Sequence, residues 1–386
     1  MQNVRGSCSR RPVEFKISAA SPVLVLIQST DATITGFIRK GLWQRQRMTL
    51  EAFAERFSVL YYTSDGRNYQ DQMPAGVRHI GRGCRGDLFG LRHASYYFGL
   101  LISAFEWRLH RHCIIRVFGV TIPVLPALKA IAGKKVVVSF QYDWASEMRS
   151  VYGGIKKVVA GAVQHLSIGS ADHVICTMDW LKCIATTKYR REQVTVIPNY
   201  VDTAMFCPSS NKVNHVVYVG RLHWSKGVDT LIESFAMLRR GSPDYELIIV
   251  GDGEERAKLE RSVSTGSQVT FHGSVPFAEV ARTLNDSRIF VLPTKTREGH
   301  PKALVEAMAS GCVCIASRVP GNADVLRECD CNDLLFEAGD SLSLLSRLQY
   351  AVSSAQDSRQ LRFAREKYAK SVVMHREIAI LESMLS

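Results

Sequence analysis

The sequence predicts an α/β protein built as two domains, and two observations carry that prediction. Short apolar runs recur along the chain, each followed by a glycine-bearing or charged loop and then a stretch of helical period, which is the alternation of a parallel sheet with its crossover helices. A length of 386 residues with 46% hydrophobic content leaves room for two units of typical size, each with its own core, and excludes a disordered chain.

Met1 to Ala20 is basic and polar, and the apolar run after it, Pro22 to Ile27, is too short for the core of a signal peptide. Val23 to Ile27 is therefore a first strand, leading into the loop Thr33-Ile-Thr-Gly36-Phe37. A helix is expected from Gly36 through Phe57, then a strand Val59-Leu-Tyr-Tyr62. Ser95 to Arg111 combines aromatic and aliphatic bulk with a basic end, which suits either a helix packed on the sheet or one lying in a membrane interface. Packing is favoured because the strand-like Ile114-Ile-Arg-Val-Phe118 follows in the usual alternation, with membrane contact left to the flanking arginines and aromatics. Val136 to Phe140, Val174 to Cys176 and Val194 to Ile197 supply later strands, and Pro198-Asn-Tyr-Val-Asp202 reads as a hinge. No window reaches the roughly 18 uncharged apolar residues of a membrane span, since Val120 to Gly133 carries Pro123, Pro126 and Lys129.

Beyond the hinge, Val216 to Val219, Tyr245 to Val250, Val269 to Gly273 and Ile289 to Leu292 read as strands whose C-terminal ends carry the polar loops. Such loops line the ligand crevice of open α/β sheets. They are Gly220-Arg221-Leu-His-Trp-Ser-Lys226-Gly227, then Gly251-Asp-Gly253-Glu, then the turn at Val275-Pro276. The fourth, Pro293 to Gly311, is the most informative, because Glu298 and Glu306 flank a loop-to-helix junction with Pro301 in the first helical turn and Gly311 as the stop. An anion at that helix start would meet free N–H groups and a positive partial charge, while the two carboxylates accept hydrogen bonds from hydroxyls. Diphosphate in the middle and hydroxyls on either side describe a nucleoside diphosphate sugar. Ordinary solvated acids on an ordinary helix are the competing reading of the same spacing.

Together these segments resemble family 4 of the retaining glycosyltransferases, with the GT-B architecture of two facing Rossmann-like domains, a cleft between them and a C-terminal helix crossing back. The match is close over residues 213 to about 340 and looser in the first half. The resemblance implies an N-terminal acceptor domain (1–198), a nucleotide-sugar donor domain (199–356) and a terminal helix at about 357–386. It implies that Arg221 and Lys226 hold the donor diphosphate, that Glu298 faces the donor sugar and that Glu306 binds the ribose hydroxyls. It further implies that the backbone near Val275 reads the base, with Gly220, Gly251, Gly253, Gly299, His300, Pro301, Lys302 and Ala303 lining the donor. Glu298, Arg221 and Lys226 are the expected catalytic set. Gly36, Gln141 and Asp143 are expected on the N-terminal side of the cleft.

Four departures from the family pattern bear on the donor. Gln141 or Tyr142 occupies the place of a histidine that contacts the donor sugar, with Asp143 as a possible polar substitute. One glycine, Gly36, stands where a pair is frequent, and Asp324 where glutamate is usual. His300-Pro301 replaces Phe-Gly, which removes one backbone donor.

Residues 1 to 200 hold 27 Lys and Arg against 13 Asp and Glu, while residues 201 to 386 hold 22 against 23, so the net charge of +13 lies in the first half. In this architecture that points to an anionic acceptor-side partner, a polyprenyl-diphosphate-linked glycan or the cytoplasmic leaflet, with Arg39, Lys40, Arg45, Arg47, Arg82, Arg85, Arg92, Arg108 and Arg111 as contacts. General solubility is the competing account. Nucleic acid is not an expected partner, since no binding module accompanies the charge. The ten cysteines form no framework and suggest reduced thiols and a cytoplasmic protein, peripheral to the inner face of the membrane. Cys312, Cys314, Cys329 and Cys331 allow a zinc reading, but the first pair lies in the strand-like Gly311 to Ser317, so buried structural thiols are preferred. No Asp-x-Asp pair stands in the plausible loops, so no metal and no other cofactor is expected. The activity implied is transfer of a hexose-type sugar from a UDP or GDP sugar to a glycan or lipid-linked hydroxyl in cell-surface polysaccharide synthesis. A silent nucleotide-sugar binder and a nucleotide-sugar epimerase are the alternatives.

Overall fold

The computed structural model describes residues 21–385 apart from 31, 40, 84–90, 152–154, 265 and 354–357. Its strands are β1 (Val23–Gln28), β2 (Ser58–Thr63), β3 (Val77–Gly81), β4 (Cys113–Phe118), β5 (Val136–Phe140), β6 (His173–Cys176) and β7 (Val194–Val196) in one sheet. A second sheet holds β8 (Val213–Val219), β9 (Glu246–Val250), β10 (Val269–Gly273), β11 (Ser287–Leu292), β12 (Val313–Ser317) and β13 (Leu335–Phe336). The spatial orders are β3-β2-β1-β4-β5-β6-β7 and β10-β9-β8-β11-β12-β13. All pairings are parallel, from β1 with β2 and β4 to β8 with β9 and β11. These are two Rossmann-like units, as the apolar runs predict: β1, β2, β5 and β12 are buried along their whole length, the signature of strands covered on both faces. Each sheet reverses its order once, beside β1 and β4 in the first and beside β8 and β11 in the second, and the loops at those reversals are where ligands enter such folds.

The helices Leu91–Leu109, Leu125–Ala132 and Ile155–Gly169 cover one face of the first sheet through Tyr96, Leu100, Trp107, Leu128 and Ile168. The other face packs on Trp43–Ala54 and on the terminal helix Lys370–Ser383, whose Val373, Met374, Ile378 and Leu381 share a core with Leu24, Leu26 and Ile114. The end of the chain is thus built into the first sheet's core. A buried ion pair fixes it there: Arg116 of β4 donates from Nε and Nη2, at 2.9 and 2.7 Å, to one carboxylate oxygen of Glu377.

Three expected helices differ in the structure. The helix expected from Gly36 through Phe57 is two, Ile34–Arg39 and Trp43–Ala54, because Gly41 adopts φ +67° and a side chain there would stand 3.1 Å from the carbonyl of Val275 in the other half. The terminal helix expected over about 357–385 is also two, Ser358–Lys367 and Lys370–Ser383, and Asp357 itself lies outside the described residues. Between them the chain bends at Tyr368, and Ala369 bridges Val201 of the hinge: Val201 N–H donates to Tyr368 at 2.8 Å and Lys370 N–H to Val201 at 2.9 Å. Pro301 precedes its helix, Lys302–Ala309, as an extended N-cap rather than sitting inside the first turn. Strands β3 and β13, both at sheet edges, have no counterpart in the sequence reading; each is short.

Arg116→Met leaves Glu377 charged and buried, so unfolding in urea should show a loss of about 3–5 kcal/mol. The double change Arg116→Met with Glu377→Leu should recover most of it; no recovery would mean the pair is not what holds the terminal helix.

Candidate functional site

The two sheets meet at their C-terminal ends, and the carboxylates singled out by spacing lie there. After β11 the chain passes Thr294 and reaches Glu298, whose Oε1 accepts from Thr294 Oγ1 at 3.1 Å and from Lys226 Nζ. Lys226 reaches it because the loop after β8 is folded tightly onto the end of β11. Gly227 sits at φ +67° with its Cβ position 2.0 Å from the carbonyl of Pro293, a place no side chain can enter. The loop from Gly321 lies against the other side, with Glu298 N–H donating to Pro320 at 2.9 Å. Asp324, the shortened acid of that loop, accepts from Gly321 N–H at 2.9 Å and so caps its own helix.

Glu306 is one turn inside the helix Lys302–Ala309 and only 3% exposed. Burial pushes its carboxyl above the usual range, and Arg45, an ion-pair partner reaching over from the helix Trp43–Ala54, pulls it back in part. Arg45 is itself fixed: its guanidinium lies 4.7 Å over the Phe277 ring, and its carbonyl accepts from Thr49 and Tyr200 hydroxyls at 3.4 and 3.3 Å. Arg45 is therefore spent within the cleft rather than offered to an outside anion. Of the other basic residues expected on the acceptor side, Arg82 donates to Ser103 at 3.0 Å and Arg47 pairs with Glu51. Lys40 and Arg85 lie outside the described residues, as does the side chain of Arg92.

Opposite this helix, Gly299 faces the carbonyl of Gln141, 2.5 Å from where a Cβ would be, so the two halves touch backbone to backbone. Asp143 does not point across. It caps the helix Trp144–Val151, accepting from Ser146 N–H at 3.3 Å and from Gln164 at 2.9 Å. Burial opposes its ionisation, but these bonds and that from the Ser146 hydroxyl hold the carboxyl below the usual range. The described bonds of this carboxylate lie within its own half, whereas Tyr142 has an exposed side chain. At Gly36 the helix start is likewise occupied: Asp65 accepts from Ile34 N–H at 2.7 Å and Thr35 N–H at 3.2 Å, and Thr33 Oγ1 from Gly36 N–H at 2.9 Å. An anion would find those amides already used.

Arg221 is largely exposed and 3.6 Å from Glu254, which also meets His223 at 3.1 Å, so its head is not joined to the Lys226–Glu298 pair. Gly220, Gly251 and Gly253 form the packed junction of the loops after β8 and β9, where a Cβ at Gly251 would lie 1.8 Å from the Gly220 carbonyl. Val275 stands at the turn after β10 facing Gly41. Lys302 is exposed and Ala303 half-buried at the helix start, where the first N–H groups have no intrahelical partner. His300 turns inward: its ring meets Tyr368 edge-on at 4.8 Å, and neither ring nitrogen has a hydrogen-bond partner among the described residues. Burial, then the charges of Lys302 and Lys367, push it down to about 3, so the ring is neutral. Cys312 and Cys314 are buried in and beside β12, and burial raises the Cys312 thiol to about 11. Thr294 and Asp65 have no signal in the sequence reading, since each acts through a fold contact with a residue distant in the chain or through a loop return.

Arg45→Ala should cost stability in a pH-dependent way. Glu306 has its carboxyl raised from an ordinary 4.5, so the folded state holds a proton that the unfolded state releases, and stability falls as pH rises through the folded value. Arg45 offsets that loss only while Glu306 is ionised. Urea unfolding of the two proteins should therefore agree near pH 4 and diverge towards pH 8, by about 3 kcal/mol; a constant difference would show that Arg45 acts by packing alone.

Residues 213–354 match the family model described as Glycosyl transferases group 1. A phosphatidylinositol N-acetylglucosaminyltransferase component from Arabidopsis thaliana is 30% identical over 188 residues, 46% of this chain and 42% of that protein. A UDP-Gal:alpha-D-GlcNAc-diphosphoundecaprenol alpha-1,3-galactosyltransferase of Escherichia coli is 29% identical over 188 residues, 43% of this chain and 47% of that protein. The chain thus spans less than half the length of these curated relatives. Among solved structures, Anabaena Alr3699/HepE in complex with UDP and glucose superposes with a TM-score of 0.72 at 17% identity, over 93% of this chain and 99% of that one. The likeness extends through both sheets and the terminal helices: the chain has the GT-B fold, and its residues 213–354 are a glycosyl transferases group 1 domain.

Proposed function

We propose that the protein is a retaining glycosyltransferase that moves a hexose-type sugar from a UDP or GDP sugar to a hydroxyl of a glycan or lipid-linked acceptor in cell-surface polysaccharide synthesis. The observation that carries the reading is the pair Glu298 and Glu306, on either side of one helix start at the junction of the two halves, each matched to a cation. Exposed acids of this chain also pair with cations, as Glu51 does with Arg47, but the Glu306 and Glu298 side chains are only 4 and 19% exposed, unlike solvated surface acids. Glu306 is assigned to the ribose hydroxyls, Glu298 to the donor sugar, Lys226 and Arg221 to the diphosphate, and the backbone near Val275 to the base. Residues 1–198 are taken as the acceptor domain, 199–356 as the donor domain and 357–386 as the crossing segment. The UDP bound in the Anabaena structure and the diphosphoundecaprenol named for the Escherichia coli relative support the donor and acceptor classes.

In the reaction so read, the bond from the sugar's anomeric carbon to the phosphate oxygen breaks through an oxocarbenium-like state. The acceptor oxygen enters from the face the nucleotide leaves, and its proton passes to the departing diphosphate. Charge builds on that diphosphate, and Lys226, Arg221 and the start of the helix Lys302–Ala309 are assigned to offset it, with no metal in the reading. The acceptor is presented at an anionic membrane surface on the cytoplasmic side, which suits the basic first half.

Thermal melting with UDP, GDP, ADP and their sugars, with and without EDTA, tests the donor site, because a ligand of the folded state raises the melting point. One nucleotide should give a selective shift that EDTA leaves unchanged. With that donor and a diphosphoundecaprenol-linked sugar, Lys226→Ala should lower kcat by about 100- to 1,000-fold, the scale of one lost electrostatic contact. Binding without turnover would favour a silent binder, and turnover of the donor alone to an epimer would favour an epimerase.

A further inference from the structure

On the outer surface of the helix layer over the first sheet, apolar side chains stand in water. The helix Leu91–Leu109 turns Tyr96, Leu100, Ala104 and Trp107 inward, and its outer face shows Phe98, Ile102, Phe105 and Leu109 at 66, 48, 61 and 85% exposure. At the helical angle per residue these four fall within about 60° of one another, so they form one stripe some three turns long. Single exposed apolar residues are ordinary, but a continuous stripe marks an interaction face. In the same layer, beyond the helix Leu125–Ala132 that packs on both neighbours, Ile155–Gly169 exposes Val158, Val159 and Leu166.

The charge around the stripe is one-sided. Residues 91–172 carry ten Lys and Arg against four Asp and Glu. Asp143 is the buried helix cap and Asp172 is paired with Lys129 at 2.6 Å. Glu106 is then the one exposed acid among the described side chains of this segment, beside exposed Arg108, Arg111, Lys135, Lys156 and Lys157. A second copy of the chain would press like charges together across a two-fold axis. No described helix is long and apolar enough to cross a membrane; an apolar stripe bordered by cations has the composition of a helix that lies in a membrane interface.

We infer that this helix layer is a membrane-docking face whose occupant is an anionic lipid bilayer: Phe98, Ile102, Phe105 and Leu109 enter the boundary between headgroups and acyl chains, and Arg108, Arg111 and Lys157 hold lipid phosphates. The inference deepens the proposed function and rests on it for its purpose, which is to bring the cleft to a lipid-linked acceptor; the contact itself needs no catalysis.

The test is sedimentation of the full chain with vesicles of phosphatidylcholine, with and without phosphatidylglycerol, beside Phe98→Ser/Phe105→Ser and Arg108→Gln/Arg111→Gln. The wild type should bind the anionic vesicles, the serine pair should lower the partition at least about tenfold, and the glutamine pair should weaken it and flatten its salt dependence. All four side chains are exposed, so melting points should match and a folding failure would be visible. No vesicle binding, equal binding by the serine pair, or a dimer that the serine pair dissolves would each overturn the docking face. Nucleotide shifts in the same preparations separate the two readings. A retained shift without vesicle binding removes this face alone, whereas vesicle binding without donor turnover removes the transferase and leaves the face.

Discussion

A carboxylate that is 3% exposed needs a cation, and the need of Glu306 for Arg45 governs how the two halves meet. Glu306 belongs to the second sheet's helix Lys302–Ala309 and Arg45 to the first sheet's Trp43–Ala54, so satisfying one buried charge brings two separate cores into register. What surrounds the pair follows from it. Gly41 can turn the chain towards Val275 only because it lacks a side chain, Met48 of the same helix enters the second core, and Tyr200 of the hinge ties the Arg45 carbonyl in place. The hinge is then clasped from the far side, where Val201 pairs with Tyr368 and Lys370.

The second pair, Lys226 with Glu298, is built differently and for a different use. Its carboxylate is partly solvated and shared with Thr294, so Coulomb attraction there is moderated by water and the lysine is released at modest cost. In the proposed reaction an incoming diphosphate competes with Glu298 for Lys226, and ribose hydroxyls compete with Arg45 for Glu306. The first exchange is easy and the second requires a buried partner to be replaced group for group, which makes Glu306 the more selective of the two positions.

The α/β class and the polar loops after β8, β9 and β11 were legible because fully buried parallel strands read as unbroken apolar runs and because ligand loops follow strand ends. Lys226 and Glu298 meet for the same reason. What sequence could not show depends on contacts between distant residues. Arg45 reads as one of the basic contacts for an anionic partner until the fold sets it beside Glu306, 261 positions away. Asp143 reads from sequence as a polar residue of the cleft, and only the fold shows that it also caps its helix through Ser146 and Gln164. The breaks at Gly41 and at Tyr368-Ala369 are imposed by the opposing half, and local helical period carries no trace of them.

His300-Pro301, where the family resemblance leads one to expect Phe-Gly, bears on both sides of its loop. Inward, His300 takes the place of an apolar ring: it meets Tyr368 edge-on, stays neutral at about 3, and leaves both nitrogens without partners among the described residues, a cost of about 1–3 kcal/mol per orphaned polar group that a phenyl ring would not incur. Outward, Pro301 has no N–H to offer and stands as an extended cap, so the helix start presents one backbone donor fewer to an anion. Lys302, at the next position, has its ammonium pushed down to about 8, chiefly by desolvation and then by the charge of Arg45, with Glu306 pulling the other way, so it is still mostly charged at neutral pH. At this helix start a side-chain ammonium thus stands beside a position without a backbone donor, and in the proposed reaction a diphosphate would meet a point charge there rather than a fixed N–H.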